Sequence, residues 1–229
     1  PAGTGLPGDE RQMRRSDGFL HYPCLFTVLE QYALLSEVQA VVRKAPFIRP
    51  TPVEDGSPYR VEITSAGQLG WCSDPQGQGY RDTHPHTGLP WPPLGPMMRA
   101  AVDRLRAMAG GAMPTRFYPD SCLISRYRHR DRLVLPQNHD GETPEAPLLL
   151  ISLGDTARFL VSTSAQGEPR REALLGSGDG LVMTGQARRY RYGLAGPLAG
   201  SSELVPGDGW ISLGVHQAWQ RDDAARLRA

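Results

Sequence analysis

The residues best placed to do chemistry in this chain are Asn138, His139 and Asp140. They follow the apolar run Leu133-Val134-Leu135 and the dipeptide Pro136-Gln137. A polar cluster at the end of a strand faces the mouth of the cavity that the strand lines, while the sheet holds its backbone. An imidazole beside a carboxylate can shuttle a proton near neutral pH, so His139 and Asp140 read as an acid/base pair. Two arginine series, Arg126, Arg128, Arg130, Arg132 and then Arg188, Arg189, Arg191, could line the same mouth and hold a phosphate or carboxylate. Arg126 and Arg189 are the candidates from each. The His84-Pro85-His86 pair reads as a loop rather than a metal site.

The elements that must position these residues are short. Gly18 to Phe26 reads as a strand, and Leu29 to Lys44 has apolar residues at helical spacing up to Pro46. Tyr59 to Thr64 alternates as a half-buried strand does, and Tyr59 itself is a candidate for the substrate side. Gln68 to Tyr80 reads as a loop, and Thr83 to Pro96 as turn formers. Met97 to Ala109 is a second amphipathic helix, closed by Gly110-Gly111. Short strands follow: Ser121–Tyr127, Arg132–Leu135, Pro147–Leu153, Ala157–Ser162, Glu172–Leu175, Gly180–Thr184, Tyr190–Tyr192 and Trp210–Val215. This pattern predicts a mainly β fold with flanking helices (α+β), a jelly roll in which two N-terminal helices brace one sheet. The expected layout is an arm over 1–17, one domain over 18–217 and a tail over 218–229. Within the domain, 18–116 holds the helices and 117–217 the β core.

Composition narrows the function. The 229 residues carry a formal net charge of +1, which argues against holding nucleic acid by bulk charge. The basic residues are arginines apart from Lys44, as in a high-GC bacterial genome. Cys24, Cys72 and Cys122 show no metal-binding spacing and suit reduced cytoplasmic thiols. No apolar run approaches the ~20 residues that span a bilayer. With 26 glycines and 21 prolines, long helices are disfavoured.

Several segments, in order, resemble the AlkB-like branch of the iron(II)/2-oxoglutarate dioxygenases. Leu69-Gly70-Trp71 with Gln78-Gly79-Tyr80 is similar to the family's nucleobase-lid segment, and Leu89-Pro90-Trp91-Pro92 to the piece that follows it. Tyr118 to Tyr127, Ala146-Pro147 with Ser152-Leu153-Gly154, Gly178-Asp179, Gly193 and Pro197-Leu198 match in turn. The resemblance spans about Gly18 to Gln217 and implies a double-stranded β-helix.

The resemblance also marks departures. It assigns the metal ligands to Pro136, Asn138 and Tyr192, of which none is the His or Asp the family uses. It assigns two cosubstrate-binding arginines to Trp210 and His216 and an asparagine to Ser125, whereas Tyr127 is kept. A guanidinium fork holds a carboxylate bidentately and an indole does not. Trp210, His216 and Ser125 are therefore expected to fill the former cosubstrate pocket. The substrate half is better kept: Trp71 and Tyr80 as stacking aromatics, with Asp140 as the acidic residue that reads the base edge. Stacking on a planar ring is worth ~1–3 kcal/mol.

The expectation is a cofactor-free enzyme, with no iron and no 2-oxoglutarate, acting on a small planar metabolite of secondary metabolism. Asp140, His139, Tyr192 and Asn138 would do acid/base chemistry; Trp71, Tyr80, Tyr59, Tyr127, Arg126 and Arg189 would hold the substrate. One alternative is a non-catalytic binder of a modified nucleobase, nucleoside or nucleic acid. Another is a dioxygenase with displaced ligands at His139, Asp140 and His216, although adjacent residues of a strand point to opposite faces.

Overall fold

Two helices start by different means. In α1, Val28–Lys44, the Thr27 hydroxyl accepts from the Glu30 N–H, and the Glu30 carboxylate accepts from the Thr27 N–H at 2.9 Å. Its buried residues, Gln31, Leu34, Leu35, Val38 and Val41, recur every three or four positions on one face. The second helix, α2, Pro96–Ala109, has no side-chain cap of its own. Glu37 of α1 supplies one: its two carboxylate oxygens accept from the N–H groups of Met97 and Met98 at 2.8 and 2.9 Å. A Cβ at Gly95 would run into that carboxylate, so a larger residue there would push the cap aside.

The computed structural model describes residues 18–51, 59–75, 77–129, 131, 146–162, 170–205, 207 and 209–218. Among them, eleven strands follow the chain. They are β1 (Phe19–Tyr22), β2 (Glu62–Gly67), β3 (Gly70–Asp74), β4 (Gly77–Arg81), β5 (Ser121–Tyr127), β6 (Leu148–Gly154), β7 (Thr156–Ser162), β8 (Arg170–Leu175), β9 (Gly180–Met183), β10 (Arg191–Leu198) and β11 (Trp210–His216). Six form one antiparallel sheet in the order β1-β9-β6-β11-β5-β2, and three form a second, β10-β7-β8. This is the expected jelly roll with two bracing helices.

One face of the large sheet is apolar, with Ile124, Leu213 and Ile151 side by side on β5, β11 and β6. Helices cover this face. Thr64 donates to the Ala45 carbonyl at the end of α1 at 2.7 Å, and Leu105 of α2 lies over Gly180. Ser152 and Gly180 are joined through the turn at Asp179, whose carboxylate also receives His21 of β1 at 2.7 Å and the Cys24 N–H at 2.8 Å. Burial pushes the Asp179 carboxyl up, but these bonds and one from the Gly176 N–H outweigh it and hold it below the ordinary range.

One element differs from the sequence reading. Residues 70–81, expected as loop, form the two-stranded hairpin β3-β4, with Trp71 opposite Tyr80. Its glycines hide it: Gly77 and Gly79 have φ of 143° and 152°, backbone that carries no strand signature in the sequence. Gly70 is demanded by packing, since a Cβ there would meet the Trp91 ring at 2.3 Å. The expected strand 132–135, residues 1–17 and residues 219–229 lie outside the described residues.

Replacing Glu37 with Ala should uncap α2 and cost about 1–2 kcal/mol. For a chain of this size that lowers the thermal midpoint by about 2–8 °C, measurable by circular dichroism. An unchanged midpoint would show that the cap contributes nothing.

Candidate functional site

Strand alternation divides each strand of the large sheet between the helix-covered face and the interior of the jelly roll. On β11 the interior residues are Trp210, Ser212, Gly214 and His216. The register places Tyr127, Ser125, Leu123 and Ser121 of β5 opposite them. On the other flank, Gly154, Ser152 and Leu150 of β6 oppose Trp210, Ser212 and Gly214. Ser125, Ser212 and Ser152 thus form one buried row across three strands.

Two ends of this interior differ. At one end Trp210 packs on Tyr127 with ring centroids 5.3 Å apart, and its indole N–H donates to Ser152 Oγ at 2.7 Å. Ser152 in turn donates to the Leu175 carbonyl at 3.3 Å. Burial pushes the Tyr127 phenol well above its ordinary range, against the pull of a hydrogen bond with Ser125. Asp155 fixes this end. Its carboxylate accepts from the N–H groups of Ser201, Ser202 and Gly209 at 2.9, 3.0 and 3.0 Å, pinning the segment that leads into β11.

At the other end lie the aromatics of the hairpin. Tyr80 meets His216 edge-on, with centroids 6.0 Å apart, and Trp71 stands beside Tyr80 on the same hairpin face. His216 is buried and leans over Gly214, where its Cε1 would be 3.7 Å from a Cβ. Ser65 and Ser121 are fully buried on the same interior face, and their hydroxyls have no hydrogen-bond partner among the described residues. The structure therefore brings together Trp71, Tyr80 and His216, and separately Trp210, Tyr127 and Ser125.

The remaining expected residues fall elsewhere. Tyr192 is on the interior face of β10, paired with Val161 and stacked on Phe159 at 5.6 Å. Arg126 points to the opposite face from Ser125 and Tyr127, because it lies between them in the strand. There it binds Glu62 and covers the Phe47 ring at 4.3 Å. Arg189 is exposed; the buried arginine of that series is Arg188, which donates to the Ala146 carbonyl at 2.7 Å. Tyr59 is 46% exposed and is held through its backbone N–H to the Pro50 carbonyl. Pro136, Asn138, His139 and Asp140 lie outside the described residues. His84 is a structural residue: its Nε2 bonds the Pro46 carbonyl at 2.8 Å, and its Nδ1 accepts from the N–H groups of His86 and Thr87.

The hairpin and Asp155 were missed by the sequence reading, and Arg188, expected at the cavity mouth with its neighbours, is buried instead. A lone Asp after a glycine-ended strand was the one available signal for Asp155.

Among the described residues no three His, Cys, Asp or Glu side chains are grouped to hold a metal ion. Tyr192 on Phe159 and Trp210 on Ser152 do not supply the imidazole and the guanidinium that the resemblance assigns to those positions.

Residues 18–196 match the 2OG-Fe(II) oxygenase superfamily. The chain is 38% identical over 217 residues to the alpha-ketoglutarate-dependent dioxygenase AlkB homolog of Caulobacter vibrioides, covering 95% of each. It is 33% identical over 190 residues to the alpha-ketoglutarate-dependent dioxygenase AlkB of Salmonella typhimurium, covering 83% of this chain and 86% of that one. Over 91 residues it is 31% identical to the DNA N(6)-methyladenine demethylase ALKBH1D of Arabidopsis thaliana, covering 38% of this chain and 20% of that one. Among solved structures, OsALKBH1 superposes with a TM-score of 0.72 at 24% identity, covering 88% of this chain and 97% of that one.

These relatives correct two expectations. A cofactor-free enzyme is overturned, because relatives matched over most of the chain are named as dioxygenases that depend on alpha-ketoglutarate. The expectation of no iron and no 2-oxoglutarate falls with it, since the matched superfamily is defined by both. The preference for a small metabolite over nucleic acid finds no support among them either.

The three thiols are all free, and their environments differ. Burial pushes Cys72 up to about 11 and Cys122 up to about 12, whereas Cys24 is exposed. Iodoacetamide at about pH 8 attacks thiolates, so peptide mass spectrometry should find Cys24 alkylated and the other two spared. Equal labelling of Cys72 in the folded protein would contradict its placement.

Proposed function

This chain belongs to the 2OG-Fe(II) oxygenase superfamily, and from that membership we propose that it is an AlkB-type dioxygenase acting on a nucleobase in a nucleic-acid strand. The observation that carries the reading is the 38% identity to an alpha-ketoglutarate-dependent dioxygenase over 95% of both chains. A demethylase of DNA among the relatives supports the substrate class. One domain, residues 18–217, would carry the activity, and the three unpaired thiols suit a cytoplasmic setting.

Of the ligand positions implied by the resemblance, Tyr192 alone is among the described residues and it carries no imidazole, which supports a reading with displaced ligands. His139, Asp140 and His216 are the set that the sequence offers. The chemistry derivable from the described residues is binding and orientation. Trp71 and Tyr80 present aromatic faces on a hairpin, and a planar base gains about 1–3 kcal/mol by stacking there. His216, one of the proposed ligands, lies buried against Tyr80, so a base stacked on the hairpin would sit beside it.

Purified protein, reconstituted with iron(II) without oxygen and titrated with 2-oxoglutarate, should take up both in about equal amounts, and His216→Ala should lose the iron. With oligonucleotide as ligand, Trp71→Ala should weaken binding about 5- to 150-fold, the equivalent of ~1–3 kcal/mol. Uptake of neither iron nor 2-oxoglutarate, with oligonucleotide binding intact, would sink the dioxygenase reading and leave a binding protein.

A further inference from the structure

Arg126, which the sequence pointed at the cavity, belongs instead to a cationic cluster on the outer face of β2 and β5. Three arginines converge on Glu62. Arg126 Nη2 lies 2.6 Å and Arg128 Nη2 3.8 Å from its Oε2, and Arg49 Nη2 lies 3.7 Å from its Oε1. One carboxylate cannot balance three guanidiniums. The Arg49 and Arg128 side chains are 60% and 65% exposed, so the surplus charge faces solvent. Arg60, two residues before Glu62, adds an exposed guanidinium with no ion-pair partner among the described residues.

Each side of this cluster opens into a hollow. Arg49 lines one of about 420 Å³, together with Thr51, Cys72, Ser73, Arg81 and His86. Arg60 lines one of about 910 Å³, together with His129 and Arg158. Arg81 is paired with Asp74 and Arg158 with Glu172. Counting Asp131, whose carboxylate accepts from the Arg128 N–H, six guanidiniums face four carboxylates along this path among the described residues, a surplus of two positive charges. The whole chain carries only +1. The imbalance is local, and it is concentrated where concave surface is available.

We propose that this path is a track for the phosphate backbone of a nucleic-acid strand. It would run from the hollow behind Cys72, past Glu62, to the hollow at Arg158. The proposal rests on the nucleobase reading and extends it. Trp71 and Cys72 are consecutive on β3 and face opposite sides of the hairpin, so a strand whose base stacks on Trp71 would round the hairpin edge to reach the first hollow. Guanidiniums match phosphate geometry, and their exposure keeps desolvation small. Arg126 is held flat over Phe47, which fixes one contact point in the middle of the path.

The test is fluorescence anisotropy of a labelled single-stranded thymidine oligomer with the full chain, across a series of salt concentrations. Each phosphate contact on a single strand contributes about 0.7 to the slope of log affinity against log salt. Replacing Arg60→Gln and Arg128→Gln together should lower the slope by about 1.4, and Arg49→Gln alone by about 0.7. Trp71→Ala should weaken binding and leave the slope unchanged. An unchanged slope in the arginine variants overturns the track, while the Trp71→Ala result still judges the nucleobase reading. Absence of oligomer binding at low salt overturns it too, and iron uptake then decides the dioxygenase reading separately. Poly-glutamate that displaces the oligomer with equal strength and the same arginine dependence would assign the face to an acidic protein instead.

Discussion

The register of β11 between β5 and β6 is the constraint on which everything else depends. Because side chains alternate, that register sends Trp210, Ser212, Gly214 and His216 inward and Ile211, Leu213 and Val215 toward the helices. A slip of one residue would exchange the two sets, burying serines against α1 and α2 and opening isoleucine and leucine to the interior. The apolar face holds the register from one side. Asp155 holds it from the other, by fixing the backbone at Gly209 just before the strand begins.

That constraint explains why the two ends of the interior have such different character. The Trp210 end is closed by ring on ring, and its one indole hydrogen is already committed to Ser152. Among the described residues the His216 end is covered by the hairpin, an element paired with itself rather than with the large sheet. A two-stranded hairpin is marginal alone and owes its position to packing. Trp91 against Gly70, the Trp91 indole N–H on the Arg81 carbonyl and the Ser73 hydroxyl on the Thr51 carbonyl hold it. Among the described residues, the positions at which the resemblance implied departures, Ser125, Tyr192, Trp210 and His216, all face the interior and leave the outer shape of the fold untouched.

Much of the fold was legible because its strands are apolar and alternating. Ser121–Tyr127 coincides with β5, and Trp210–Val215 falls one residue short of β11. Residues 70–81 were not legible because three of the ten strand residues are glycine, two of them in β4 alone. Which way a side chain points is set by parity, and parity was overlooked for Arg126, flanked by Ser125 and Tyr127 that both point inward. Arg188 and Arg189 looked alike in sequence. A single turn of 3-10 helix, Gly185–Arg189, buries one and exposes the other. The cluster around Glu62 joins residues from positions 49 to 128, a distance in sequence over which charge pairing leaves no local pattern.

The place of β2 in the sheet has one more effect. It ends the large sheet, with β5 as its one strand partner. Edges of this kind recruit other chains, and β2 is six residues long with its four middle residues buried. Ile48 bridges to Ile63 and covers part of the open side, and Arg49 and Arg60 bracket what is left. Two copies of this chain approaching edge to edge would bring guanidinium against guanidinium. The same charges that would welcome a polyanion keep the protein from polymerising on itself.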